Sequence, residues 1–215
     1  DAALRAMRGG LIARHGDPCA EIPRLAAELG VAAVVANRDY EPAAIARDAE
    51  VARRLASADS CWIDCKDQVI FERDEVMTQG GTPFSVFTPY KNAWLKRLAP
   101  ADLQAWPVEE HAVRLAPPHD KVPLPTLQQL GFEATDLAEL KLPTGMSGAQ
   151  ALFRDFTGRI DDYAARRDFP AVKGTSYLSA HLRFGTLSIR QLAAHAQARS
   201  GRGAATWLSE LIWRD

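Results

Sequence analysis

The chain has 215 residues, 47% of them apolar and 25% charged, an ordinary globular composition that supplies a real core for one large domain or two small ones. No apolar run approaches the roughly 20 residues that a membrane span requires, and Asp1 opens the chain without a basic and apolar signal segment, so a cytoplasmic protein that meets no membrane is expected. The formal net charge of -1 argues against a non-specific nucleic-acid binder, but the charge is uneven. Residues 151–215 hold ten Lys or Arg against six Asp or Glu, a net of +4, which leaves -5 for residues 1–150. A polyanion should meet the C-terminal part, because phosphate affinity follows local cations rather than the total; a solvated basic surface is the alternative.

In chain order, Pro23–Gly30 reads as a short helix, Val31–Ala36 as a buried strand, and Pro42–Ala58 as a helix opened by proline with Ile45, Ala49, Ala52 and Leu55 on its apolar side. Cys61-Trp62-Ile63-Asp64-Cys65 lacks the second ligand pair that a zinc site would want, so with Cys19 these are read as reduced thiols and no metal is expected. Gln68–Phe71 and Phe84–Phe87 look like short strands, and Tyr90–Leu98 like a helix with Trp94 and Leu95 inward. Such alternation predicts an α/β parallel sheet over residues 1–98, with few strands for a doubly wound domain.

Seven of the thirteen prolines fall in residues 99–147 (Pro100, Pro107, Pro117, Pro118, Pro123, Pro125 and Pro143), which predicts a long connection between domains. From residue 148 the pattern is helical. Ala149, Leu152, Phe153, Phe156, Ile160 and Tyr163 share one face, and Ser188 with Gln191 forms a capping box for a helix through Leu192 and Ala196.

Three constellations in this segment carry chemistry. Gly174-Thr175-Ser176-Tyr177-Leu178-Ser179 places a glycine and hydroxyls before a helix, where unpaired N–H groups hold phosphate; a plain N-cap is the simpler reading. Along Trp207-Leu208-Ser209-Glu210-Leu211-Ile212-Trp213-Arg214, Trp207, Glu210 and Arg214 fall on one face with Trp213 at its border. Such a face offers an aromatic surface for a base or a flavin, a carboxylate for a base edge and a guanidinium for phosphate, against the alternative of a packed helix with a Glu210–Arg214 salt bridge. Tyr163 and Arg167, one turn apart, pair a ring with a cation.

Gly174–Ser179 continued by His181-Leu182-Arg183-Phe184-Gly185, and Trp207–Arg214, resemble the flavin-domain signatures of the photolyase and cryptochrome family, most nearly the class I cyclobutane pyrimidine dimer photolyases. Asn37-Arg38-Asp39-Tyr40-Glu41-Pro42 with Arg47-Asp48, and Val86-Phe87-Thr88-Pro89-Tyr90-Lys91-Asn92-Ala93-Trp94, are similar to the same family, in the same order along nearly the whole chain. The resemblance implies the later part of a Rossmann-like α/β antenna domain (1–98), an interdomain connection (99–147) and the start of an all-α FAD-binding domain (148–215), in a chain cut at both ends. It implies a monomeric lyase that repairs cyclobutane pyrimidine dimers in ultraviolet-damaged DNA by electron transfer from reduced FAD. A cryptochrome photoreceptor is the nearest alternative, and a silent nucleotide-binding module the more distant one.

Residue by residue, the resemblance assigns Tyr163, Thr175, Ser176, Tyr177, Leu178, Ser179 and Trp207 to FAD, and Arg167, Glu210, Trp213 and Arg214 to DNA, with Glu210 and Trp213 catalytic. Trp213 would pack against an extruded dimer, and Glu210, protonated in a dry pocket, would donate to a thymine carbonyl. Folate-antenna members commonly carry Asn-Glu after the Tyr-Glu pair, whereas Ala43-Ala44 follow Pro42 here. The second chromophore stays open between methenyltetrahydrofolate, 8-hydroxy-deazaflavin and an empty pocket. Because the assigned flavin groups form only part of the family's cavity, the 215-residue chain is expected not to retain one flavin per chain, and its absorbance after purification checks this.

Overall fold

A computed structural model of the chain describes residues 1–106, 108–118 and 123–215; Pro107, one of the prolines of the expected connection, lies outside them. Two compact units result, one of residues 1–65 and 106–136, the other of 66–105 and 137–215. The chain therefore passes between units three times. Residues 66–98 fall in the second unit.

In the first unit, a short helix α1 (Ala2–Ala6) precedes α2 (Pro18–Leu29). The Asp17 carboxylate accepts from the Cys19 amide at 2.9 Å and Pro18 occupies the first helical position, so α2 begins five residues before the expected Pro23. Pro23 sits inside it without a break. The carbonyl that a proline there leaves unpaired is that of Cys19, and it accepts from Arg54 Nη1 at 2.9 Å. Gly30, at φ 59°, ends the helix in the left-handed conformation.

β1 (Ala33–Asn37), α3 (Pro42–Ala56) and β2 (Cys61–Cys65) complete the pattern. The two strands pair in parallel, with Ala33 opposite Cys61 and Asn37 opposite Cys65. α3 buries Ala44, Val51 and Leu55, so its inner face is turned away from Ile45, which is half exposed. A small core of Ala26, Val51 and Leu55 is walled by Ile22, Val34 and Trp62. Cys61 and Cys65 are free thiols at the two ends of β2, a strand that the cysteine reading passed over.

The second unit is helical. α4 (Phe87–Arg97) starts three residues earlier than expected, because Pro89 in a first turn leaves no needed N–H unpaired. Trp94 is buried on it and Leu95 is exposed. α5 (Gly145–Thr157) and α6 (Tyr163–Arg166) flank a 3-10 turn at Ile160–Asp162. The six-residue apolar face is thus split over three elements, while Phe153, Phe156, Ile160 and Tyr163 stay in one core. α7 (Ser179–Arg183), α8 (Ile189–Ala198) and α9 (Arg202–Arg214) follow. Ser188 stands at the cap of α8 without a side-chain cap bond, and Gln191 accepts from Gln150 at 3.3 Å, so the expected capping box is replaced by a contact between helices. At Gly203 a Cβ would lie 2.2 Å from the Ile160 carbonyl oxygen, which is why α9 opens with glycine there.

The expected strand at 68–71 is buried, at Val69, Ile70 and Phe71, but pairs with no strand among the described residues. Side chains take its backbone groups. Arg190 donates to the carbonyls of Asp67 (2.6 Å) and Val69 (3.1 Å), and Arg214 to that of Gln68 (2.6 Å). The Asp215 carboxylate accepts from the amides of Ile70 (2.6 Å) and Phe71 (2.9 Å) and from Trp94 Nε1 (2.7 Å). Burial pushes the Asp215 carboxyl above its ordinary value against the pull of these donors. No described helix is long and apolar enough to cross a membrane. Arg190→Met, which keeps most of the volume and removes the donor to two carbonyls, is expected to cost about 1–3 kcal/mol of stability, read as a lowered denaturation midpoint in the intact gene product.

Candidate functional site

α9 carries both core and surface aromatic rings, less than two turns apart. Trp207 is 2% exposed and packs against Phe156 at 4.7 Å and Phe153 at 6.2 Å between ring centroids. Trp213, 63% exposed, stacks on Phe87 with centroids 3.9 Å apart and planes 11° from parallel. The face expected to unite Trp207, Glu210 and Arg214 is therefore divided. Arg214 turns inward, donating to Gln68 and to the Leu182 carbonyl at 3.0 Å, and burial lowers its pKa.

Glu210 pairs with Arg167 instead of Arg214, through a short bond from Arg167 Nη1 to its Oε1. The Glu210 side chain is 38% exposed. The Arg167 guanidinium also lies 5.9 Å from the centre of the Tyr163 ring and 3.5 Å from Asp168. Burial, then the Glu210 charge, pushes the buried Tyr163 phenol above its ordinary value. Tyr163, Arg167 and Glu210 form one cluster, of which the sequence pattern had joined only the first two.

The loop 174–179 leads into α7, a helix of five residues with Leu178 at its N-cap position, so a helix begins where the sequence pattern places one. Arg159 organises this loop from below. Its Nη1 donates to the carbonyls of Lys173 (2.9 Å) and Thr175 (2.7 Å), and its guanidinium lies 5.2 Å from the Phe156 ring centre and 5.9 Å from that of Tyr177. Lys173 and Arg159 together hold the Asp155 carboxyl below its ordinary range. Gly174 admits no side chain, since a Cβ would lie 2.4 Å from the Arg166 carbonyl oxygen, and Tyr177 takes the left-handed conformation at φ 57°. Leu178 is buried; Thr175, Tyr177 and Ser179 are exposed and Ser176 half-buried.

The family model described as DNA photolyase matches residues 1–110. The chain belongs to the DNA photolyase family. It is 36% identical over 221 residues to the deoxyribodipyrimidine photo-lyase of Synechococcus sp. (strain ATCC 27144), covering 95% of this chain and 45% of that protein. A solved bacterial class III photolyase from Agrobacterium tumefaciens superposes with a TM-score of 0.84 at 25% identity over 99% of this chain and 45% of its own. The cryptochrome of Synechocystis sp. PCC6803 shares the fold, with a TM-score of 0.74 at 19% identity over 100% of this chain and 46% of its own. The chain thus spans about half the length of the relatives it matches.

Phe87, Arg159 and Asp215 escaped the sequence reading of the site. Phe87 was inside a quoted family motif, but nothing in its spacing marks a partner 126 residues away. In a double-mutant cycle on the intact gene product, Arg167→Ala and Glu210→Ala should be non-additive in stability, with a coupling of about 0.5–1 kcal/mol for a partly exposed pair. Arg214→Ala with Glu210→Ala should be additive, and a coupled Arg214 cycle would contradict the pairing described.

Proposed function

We propose that the intact gene product repairs cyclobutane pyrimidine dimers in ultraviolet-damaged DNA in a light-driven reaction, with FAD as cofactor. The observation that carries this reading is the pairing, on one turn of α9, of an accessible Trp213 with a Glu210 held by Arg167, in a chain whose curated relative is a deoxyribodipyrimidine photo-lyase. A signalling photoreceptor has no need of lesion-facing groups, so the cryptochrome reading is second.

The residues at hand fit a flavin. The Thr175 and Ser179 side chains are exposed and Ser176 is half-buried, on a loop whose carbonyls at 173 and 175 are held by Arg159, so their hydroxyls are accessible to a ligand. Tyr163, Thr175, Ser176, Tyr177, Leu178, Ser179 and Trp207 would hold the group, with Trp207 and Tyr163 acting from within the core rather than as an open stacking face. When bound and reduced, FAD would supply the photoexcited electron that opens the dimer.

The chain's own residues bind and orient. A dimer leaves the stack at reduced cost because its pairing is already disturbed, and Trp213 offers it an apolar face. Glu210, kept in place by Arg167, is aimed at a base edge, and Arg167 is shared between that carboxylate and DNA phosphate. Arg214, assigned to DNA by resemblance, contributes by fixing the helix end. The class I assignment rests on the motifs at Gly174–Ser179 and Trp207–Arg214.

Two variants of the intact gene product test this reading. Trp213→Ala should lose about 1–3 kcal/mol of affinity for dimer-containing DNA, the scale of a base–aromatic contact. Glu210→Gln keeps size while losing charge, and should bind the lesion but repair fewer dimers per absorbed photon. A wild-type protein that leaves dimers intact under blue light, or a Glu210→Gln variant with normal quantum yield and a lowered thermal midpoint, would refute it.

A further inference from the structure

We propose that Phe87 is the positioning residue for Trp213, forming the back of an aromatic platform whose open side receives a pyrimidine of the lesion. The proposal rests on the repair reading above. It starts from an asymmetry in the exposed tryptophan: one ring face is covered by Phe87 in a near-parallel stack at 3.9 Å and 11°, yet 63% of the residue remains accessible. The second face and edges are what solvent, or a base, can reach.

The backbone beneath Trp213 is held independently of that stack. Arg214 is tied to the carbonyls of Gln68 and Leu182, and Asp215 to two amides and to Trp94 Nε1. Phe87 and Trp94 are seven residues apart on α4, two turns, so they lie on nearly the same face. α4 meets the end of α9 at both points, through the Phe87–Trp213 stack and the Trp94–Asp215 bond. Phe71, edge-on to Trp94 at 5.2 Å, backs the second. The main chain at 213–215 is thus held, and among the described residues Phe87 is the ring against which the indole stacks. Phe87 is itself half-buried against the core, so it is a rigid reference rather than a second mobile ring.

An exposed indole without that backing must be ordered by the lesion it binds, and the ordering of one large side chain weakens binding by about threefold to tenfold. Phe87 touches no substrate; it acts through Trp213.

The test is dimer-oligonucleotide binding by the intact gene product carrying Phe87→Ala, Phe87→Leu, Phe87→Tyr, Trp213→Ala or the Phe87→Leu, Trp213→Ala pair. Phe87→Leu retains most of the packing volume without a flat ring, and should weaken dimer binding by about threefold to tenfold, as Phe87→Ala does, with flavin content unchanged. Phe87→Tyr should restore wild-type affinity. In the Trp213→Ala background Phe87→Leu should have no further effect, a silence that a merely structural role would not produce. Wild-type affinity in Phe87→Leu while Trp213→Ala binds weakly overturns the positioning role alone, as does an equal loss in both backgrounds. Should wild type fail to distinguish dimer from undamaged DNA, the repair reading falls and this role with it.

Discussion

A buried stretch of backbone with no neighbouring strand among the described residues must find hydrogen-bond partners elsewhere, and residues 67–71 find them in three charged side chains. Arg190 from α8 and Arg214 and Asp215 from the end of α9 take one backbone group on each of these five residues. Charged donors and acceptors make the stronger hydrogen bonds, and each of these would be costly to leave unmade in a buried place. The arrangement ties two helices and the loop before α4 into one body, and it commits Arg214, beside Trp213, to structure. Trp94 joins the same network through its indole N–H, satisfying the polar edge of a side chain that is 1% exposed.

On this base α9 divides its labour by depth. Trp207, Leu208, Leu211 and Ile212 face the core, whereas Glu210 and Trp213 face outward with partners brought from other elements, Arg167 after α6 and Phe87 on α4. Each outward group thereby has a partner without being buried. Site residues need such support, since a side chain free to rotate must be ordered again by each ligand.

The loop 174–179 shows the same economy with different means. Arg159 reaches under it to two carbonyls while lying on the Phe156 ring, and Gly174 lets the loop backbone meet that of Arg166. Thr175 and Ser179 are exposed and Ser176 half-buried on this support. A positive C-terminal segment carries both this loop and the Glu210–Trp213 face, in keeping with a polyanionic partner.

Local chemistry already determines several features in the sequence: proline at the first helical position of α3, the parallel alternation about β1, and the apolar spacing that places Phe153, Phe156, Ile160 and Tyr163 in one core. The family motifs also stand in the sequence, and membership followed from them. Tertiary structure decided what no spacing encodes. Pro23 lies inside a helix because Arg54, 31 positions on, takes the carbonyl it frees. The apolar run at 68–71 is not a strand because side chains from residues 190–215 replace a neighbouring strand. Glu210 belongs to Arg167 rather than to Arg214, and Trp213 to Phe87, since a helical repeat reports which residues share a face but not which other element that face will meet.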